Sequence, residues 1–243
     1  MLKILKGGDV DVSLAGESRE YRKARNALLE AEIALKDQRE AVARLRRALP
    51  LGPRVATDYA FDEGPADLAA DGPVTQVKLS ELFVPGQDEL ILVNTMFGAD
   101  APEPCPMCNM WADGYNAIAP HVARQKSFAL VTKRDIASLR RWARGRGWRN
   151  LRLLSSRNST FNRDYNVEWP EAPYDGPNGD QIPGVTVFKR LPNGDIHHTY
   201  SVEAAMSLRK PDHRAIDLFT PVWSLFDLTP SGRHPTWYPS TRY

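Results

Sequence analysis

Cys105-Pro106-Met107-Cys108 decides how this chain is read, because it holds the only two cysteines among 243 residues. Two thiols three positions apart at a helix start project from the same side of the first turn, near enough to close a disulfide with little backbone movement. The first sulfur also feels the partial positive charge of the helix N-terminus, which lowers its pKa and raises its thiolate fraction. Cys105 is therefore the expected nucleophile, and Cys108 the thiol that resolves a mixed disulfide. Pro106 suits the first helical position, where its missing N–H would have had no partner.

Other uses of two cysteines are weighed on the same residues. A structural zinc site needs about four Cys or His ligands, and although His121 follows Cys108 at a finger-like distance, no second histidine comes at the required gap. Covalent haem attachment needs His directly after Cys108, where Asn109 stands. Two inert buried thiols are the plain alternative, since free cysteine packs as a small hydrophobe.

Outward from the cysteines the pattern is strand, loop and helix. Leu90-Ile91-Leu92-Val93-Asn94 is a short apolar run that suits a buried parallel strand. After a loop holding Pro102 and Pro104, a helix is expected from about Pro106 to Val122. Phe128 to Thr132 reads as a second strand, Ile136 to Arg144 as an amphipathic helix, and Leu151 to Leu154 as a third strand. Val185 to Phe188 and Ile196 to Tyr200 read as a hairpin turned by Pro192-Asn193-Gly194-Asp195. This is a thioredoxin-like order in the α/β class, a central sheet flanked by helices, with a long helical extension before it.

The chain resembles the thioredoxin-like family known as domain of unknown function 899, whose members are described as predicted dithiol-disulfide oxidoreductases. The resemblance rests on Glu81-Leu82-Phe83, Met96-Phe97-Gly98, the Cys105–Cys108 motif with Ala112-Asp113, Gly147-Trp148, Ser155-Ser156, and Phe161-Asn162 with Asp164-Tyr165. It continues through Pro183-Gly184 with Val187-Phe188, His198 to Ser201, Asp227 to Pro230 with Gly232-Arg233, and Arg46 to Pro50 at the end of the N-terminal helix. The wider thioredoxin superfamily further implies a cis proline opening the strand that faces the cysteines. Pro183 is its counterpart here and joins Cys105 and Cys108 as a candidate catalytic residue. Gly184 follows it where thioredoxins usually carry threonine.

The expected activity is exchange between this dithiol and a protein or small-molecule disulfide, with a reducing thiol as second partner and no cofactor or metal. A thiol peroxidase, with Cys105 oxidised to sulfenic acid before Cys108 condenses with it, is the alternative enzyme. A non-catalytic thioredoxin-like interaction protein is the alternative class.

Length and a 42% hydrophobic content allow one full core. The expected parts are a helical extension over 1–55, an irregular connection over 56–80 that can hold a short strand, the thioredoxin-like domain over 81–205 and a closing segment over 206–243. From Glu17 to Leu49 strong helix formers prevail, and Tyr21, Leu28, Leu35, Val42 and Leu49 recur every seven positions. That apolar seam either covers the chain's own domain or pairs with a second copy into a homodimer. No basic start with a long apolar segment follows Met1, so neither a leader nor a membrane span is expected and the default location is the cytoplasm.

A net charge of +2 implies no general preference for polyanions. Arg134, Arg140, Arg141, Arg144, Arg146 and Arg149, interleaved with Trp142 and Trp148, look superficially like a nucleic-acid surface. The expected role is a solvated helix face, with an anionic thiol partner next and nucleic acid least favoured. His121, His197 and His198 are expected to be structural, and Asp113 to cap or solvate its helix.

Overall fold

The computed structural model describes residues 13–171, 173–202 and 219–242. It divides into two units, 1–49 and 50–243.

The first unit carries α1 (Arg19–Arg47). Ser18 caps it by accepting from the Tyr21 N–H at 3.1 Å, which satisfies one of the donors every helix start leaves unpaired. Ala48 ends it, and Pro50 cannot continue it. None of its residues is buried, and Tyr21, Leu28, Leu35 and Leu49 of the seam are exposed.

The second unit holds β1 (Ala60–Glu63), β2 (Thr75–Lys78), a 3-10 turn (Leu79–Leu82), β3 (Glu89–Asn94), α2 (Pro106–Val122), β4 (Ser127–Thr132), α3 (Ile136–Arg146) and β5 (Leu153–Ser155). These are followed by α4 (Phe161–Asp164), β6 (Gly184–Arg190), β7 (Ile196–Ser201) and α5 (Val222–Phe226). One seven-stranded sheet runs in the order β2-β1-β5-β4-β3-β6-β7. β3, β4 and β5 are parallel, whereas β6 runs antiparallel to β3 and β7 antiparallel to β6. A parallel βαβ unit joined at its first strand to an antiparallel hairpin, with the cysteines after that strand, is the thioredoxin-like fold.

The apolar runs of β3 and β4 follow from burial on both faces. Leu90, Leu92, Ala129, Val131 and Leu154 join Tyr59, Phe61, Phe161 and Phe188 in one core, whereas Leu130 and Leu153 point into a second core with Ala112, Ala119, Ile136, Leu139 and Trp148. Successive strand residues thus alternate between cores, as the two-residue period requires. α3 starts at Asp135, whose carboxylate accepts from the Ser138 N–H at 2.9 Å, and stops at Gly147, whose φ of 72° is the left-handed conformation a glycine adopts freely.

Three expectations need correction. Residues 56–80 hold more than the one short strand expected of an irregular connection: β1 and β2 pair with each other, and Asp62 and Glu63 pair with Ser155 and Leu154, extending the sheet by two strands. Few apolar residues mark β2, because only its Val77 is buried and one-sided edge strands carry a weak signal.

The arginine-rich stretch is not simply a solvated face. Arg140 is 6% exposed and donates to the carbonyls of Pro65 (2.6 Å), Asp67 (2.9 Å) and Ala70 (2.9 Å). Arg144 reaches Leu68 O at 2.7 Å and Asp71 at 2.7 Å, and Arg152 holds Glu63 at 2.7 Å. Arg140 and Arg144 thus pin the β1–β2 connection, whose carbonyls lack strand partners, while Arg141 and Arg149 are exposed as expected.

The bond before Pro183 is trans, as no described peptide bond is cis. Ile182 N–H donates to Val167 O at 2.9 Å and Glu168 bridges Gln181, so the chain enters β6 extended and nothing opposes the ordinary trans preference of about 0.5–1 kcal/mol.

Candidate functional site

The cysteine loop leaves β3 at Asn94 and is closed on itself, with Cys105 N–H donating to Met96 O at 2.8 Å. Cys105 is the N-cap of α2, with Pro106 at the first helical position, and its carbonyl accepts from Asn109 N–H at 2.9 Å. Its side chain is half-buried. Cys108, one turn in, is 1% exposed, and its sulfur accepts from Met96 N–H at 3.4 Å. Both thiols are free.

Their protonation is pulled apart. The Cys105 pKa is lowered to about 6, first by the neighbouring Cys108 thiol, against the opposing effect of burial. The Cys108 N–H, the Tyr238 hydroxyl and the Met107 N–H lower it further. Burial, then the nearby Cys105, pushes Cys108 well above the ordinary thiol range. A thiolate therefore sits beside a neutral thiol near pH 7, the state in which one sulfur attacks and the other waits.

Around the pair lies a third apolar cluster, Met96, Met107, Cys108, Trp111, Phe219 and Trp223. Four of the six come from the cysteine loop and α2, and two from the chain's C-terminal strap, residues 219–242. Phe219 stacks on Trp111 with centroids 4.6 Å apart, and Trp237 packs edge-on against Trp223 (5.6 Å) and Phe226 (5.0 Å). Tyr238 brings its hydroxyl to 3.6 Å from Cys105 Sγ. Residues 206–218 of the expected closing segment lie outside the described residues.

Sequence reasoning singled out neither Tyr238 nor Trp111, although it expected a closing segment over the residues that carry Tyr238. Tyr238 is 133 positions from Cys105, and no spacing rule links residues so far apart. The Asn94–Gly184 pairing of β3 with β6 puts Pro183 at the same end of the sheet as Met96 and the cysteine loop.

The other candidates go elsewhere. His121 is exposed in the last turn of α2, about 20 Å along the axis from Cys108 at 1.5 Å per residue, so the two cannot share a metal ion. His197 Nδ1 meets Gly52 O at 3.0 Å, and His198 Nε2 meets Ser201 Oγ at 2.8 Å with its ring against Tyr165 and Phe188. Burial lowers the His198 pKa. Asp113 neither caps nor merely solvates: it accepts from Arg146 Nη2 at 2.5 Å and Trp148 Nε1 at 2.8 Å, tying α2 to the end of α3. Among the described residues no helix is long and apolar enough to cross a membrane.

Solved structures similar to this chain are peroxiredoxins. The 1-Cys peroxiredoxin of Plasmodium falciparum is 17% identical, with 64% of this chain and 82% of that one covered and a TM-score of 0.45. Peroxiredoxin Q of Xanthomonas campestris is 16% identical, with 73% and 97% covered and a TM-score of 0.42. Oxidised Prx3 of Vibrio vulnificus is 14% identical, with 65% and 91% covered and a TM-score of 0.42. No curated protein matches the sequence. The family described as bacterial protein of unknown function (DUF899) matches residues 12–243, a span that takes in α1, both cysteines and the strap bearing Tyr238, and the chain belongs to that family.

Proposed function

We propose that the chain is a dithiol–disulfide oxidoreductase. One observation carries this reading: Cys105 is half-buried with its pKa lowered to about 6, and Cys108 directly behind it is buried and held neutral. Cys105 thiolate attacks one sulfur of a substrate disulfide R–S–S–R′, forming Cys105–S–S–R and releasing R′–S⁻. Cys108 then gives its proton to solvent, attacks the Cys105 sulfur and releases R–S⁻ as the Cys105–Cys108 bond forms. A reducing thiol restores the dithiol by the reverse exchange. Two lone cysteines at this spacing suit exchange in a reducing compartment such as the cytoplasm, where permanent structural disulfides are rare.

Trapping tests the assignment. In Cys108→Ser the first exchange proceeds and its internal release is lost, so a mixed disulfide on Cys105 is expected to accumulate with a model disulfide. Cys105→Ser should hold far less, and mass spectrometry locates the adduct. Equal, slow labelling of both thiols, with no reversible Cys105–Cys108 bond, overturns the oxidoreductase reading. Peroxide consumption that leaves a sulfenic acid on Cys105 of Cys108→Ser, without disulfide exchange, replaces it with the thiol peroxidase.

We also propose that α1 pairs with the α1 of a second copy. Tyr21, Leu28, Leu35 and Leu49 of its heptad seam are exposed and Val42 is half-buried, and a sustained seven-residue repeat is the pattern of helices that wind around each other. Leu28→Arg with Leu35→Arg is expected to convert a dimer into a folded monomer, read by light scattering. An unaltered chain already monomeric at micromolar concentration removes the dimer.

A further inference from the structure

We propose that Tyr238 is a third member of the thiol site, its hydroxyl donating a hydrogen bond to the Cys105 sulfur. The site is thereby completed only when the C-terminal strap is seated. This rests on the oxidoreductase reading for its catalytic meaning.

The contact is a positioned one. Tyr238 is bracketed by two anchors: Trp237 before it packs between Trp223 and Phe226, and Thr241 after it is held from two sides. Thr241 Oγ1 donates to Glu103 at 3.1 Å, and its carbonyl accepts from Arg146 Nη1 at 3.0 Å. Arg242 Nη2 adds a second donor to Glu103 at 2.9 Å. Glu103 stands two residues before Cys105, so the strap is fastened to the loop that carries the nucleophile.

The hydroxyl at 3.6 Å is within hydrogen-bond reach of a sulfur. Either atom could donate, but a thiolate has no hydrogen, so once Cys105 ionises the phenol is the donor. Burial and the adjacent Cys105 push the Tyr238 pKa up, so it keeps that hydrogen. The other titratable groups facing the pair are Cys108 and Tyr115 from α2 and Tyr174 from the loop before β6, and both tyrosines are likewise raised by burial first. Glu103 is paired with Arg242. Among these groups Cys108 and Tyr238 are the side chains that stabilise the Cys105 anion.

Tyr238→Phe keeps the ring and deletes the donor. Alkylation of Cys105 by iodoacetamide, located by mass spectrometry across pH, separates two effects: the midpoint reports the thiolate fraction, and the high-pH plateau reports access together with the nucleophilicity of the anion. The expected result is a midpoint raised by about one pH unit, a plateau up to about threefold higher because the more basic thiolate is the better nucleophile, and a rate at pH 6 lower by roughly twofold. Arg242→Ala, which loosens the strap without touching the sulfur, should shift the midpoint in the same direction by less. An unchanged midpoint in Tyr238→Phe overturns the proposal even if disulfide exchange is intact. A shifted midpoint in a chain that performs no exchange leaves Tyr238 in place and sinks the oxidoreductase reading instead.

Discussion

Cys105→Ser is expected to lower disulfide exchange by roughly a thousandfold or more, because a serine hydroxyl is not ionised at neutral pH and nothing nearby activates it. The pH profile of the unaltered chain carries the finer expectation. With its pKa lowered to about 6, Cys105 is roughly nine-tenths thiolate at pH 7, against about 3% for a free thiol of pKa 8.5. That gain of about 30-fold is largely offset, since a thiolate 2.5 units less basic is about tenfold less nucleophilic. The net advantage over a free thiol is only about threefold at pH 7 and grows to roughly 15-fold at pH 6, where the free thiol has almost no anion. Reactivity of Cys105 should therefore fall as pH drops through about 6, while Cys108 stays unreactive throughout the neutral range. Site-resolved alkylation rates would show it. A Cys105 midpoint near 8 or 9 contradicts the site described above.

Arg140→Met is expected to destabilise the fold by about 3 kcal/mol, lowering the thermal midpoint by roughly 6–12 °C. The guanidinium is nearly buried and answers three carbonyls of the connection between β1 and β2, and methionine fills similar space while removing all three bonds, which leaves Pro65 O without its donor and Asp67 O and Ala70 O with only the Ala70 N–H and Arg144 Nη2. Gly64 belongs to the same arrangement, since a Cβ there would lie 2.6 Å from Arg140 Cδ. Arg140→Lys should recover less than half of the loss, because a single ammonium cannot span acceptors that the planar fork reaches together. Thermal or urea unfolding decides it, and a midpoint within half a kcal/mol of the unaltered chain would show the arginine to be dispensable.

Much of the frame was legible in the linear pattern. The apolar run at Leu90–Asn94 met a strand over Glu89–Asn94, and the helix expected from Pro106 to Val122 has those bounds. Both signals are local: a two-sided strand must be apolar throughout, and a first-turn proline marks a helix start. The arginines and Asp113 were misread for the complementary reason. A charged residue at helical spacing looks alike whether it meets water or a carbonyl some 70 positions away, and Arg140 does the latter.

The candidate site divides in the same way. The sequence by itself determined the thioredoxin-like order and the placing of two thiols one turn apart at the start of α2, because helix geometry relates residues three apart whatever surrounds them. Only the tertiary structure decided that burial of Cys108 and the Tyr238 hydroxyl set the two thiols apart, and which residues of the closing segment reach them. Burial of Cys108 and the approach of Tyr238 depend on packing between Trp111, Phe219, Trp223 and Trp237, segments over a hundred positions apart. Desolvation and hydrogen bonding act through space over a few ångströms, and the chain's order in sequence carries no record of which distant residues share that space.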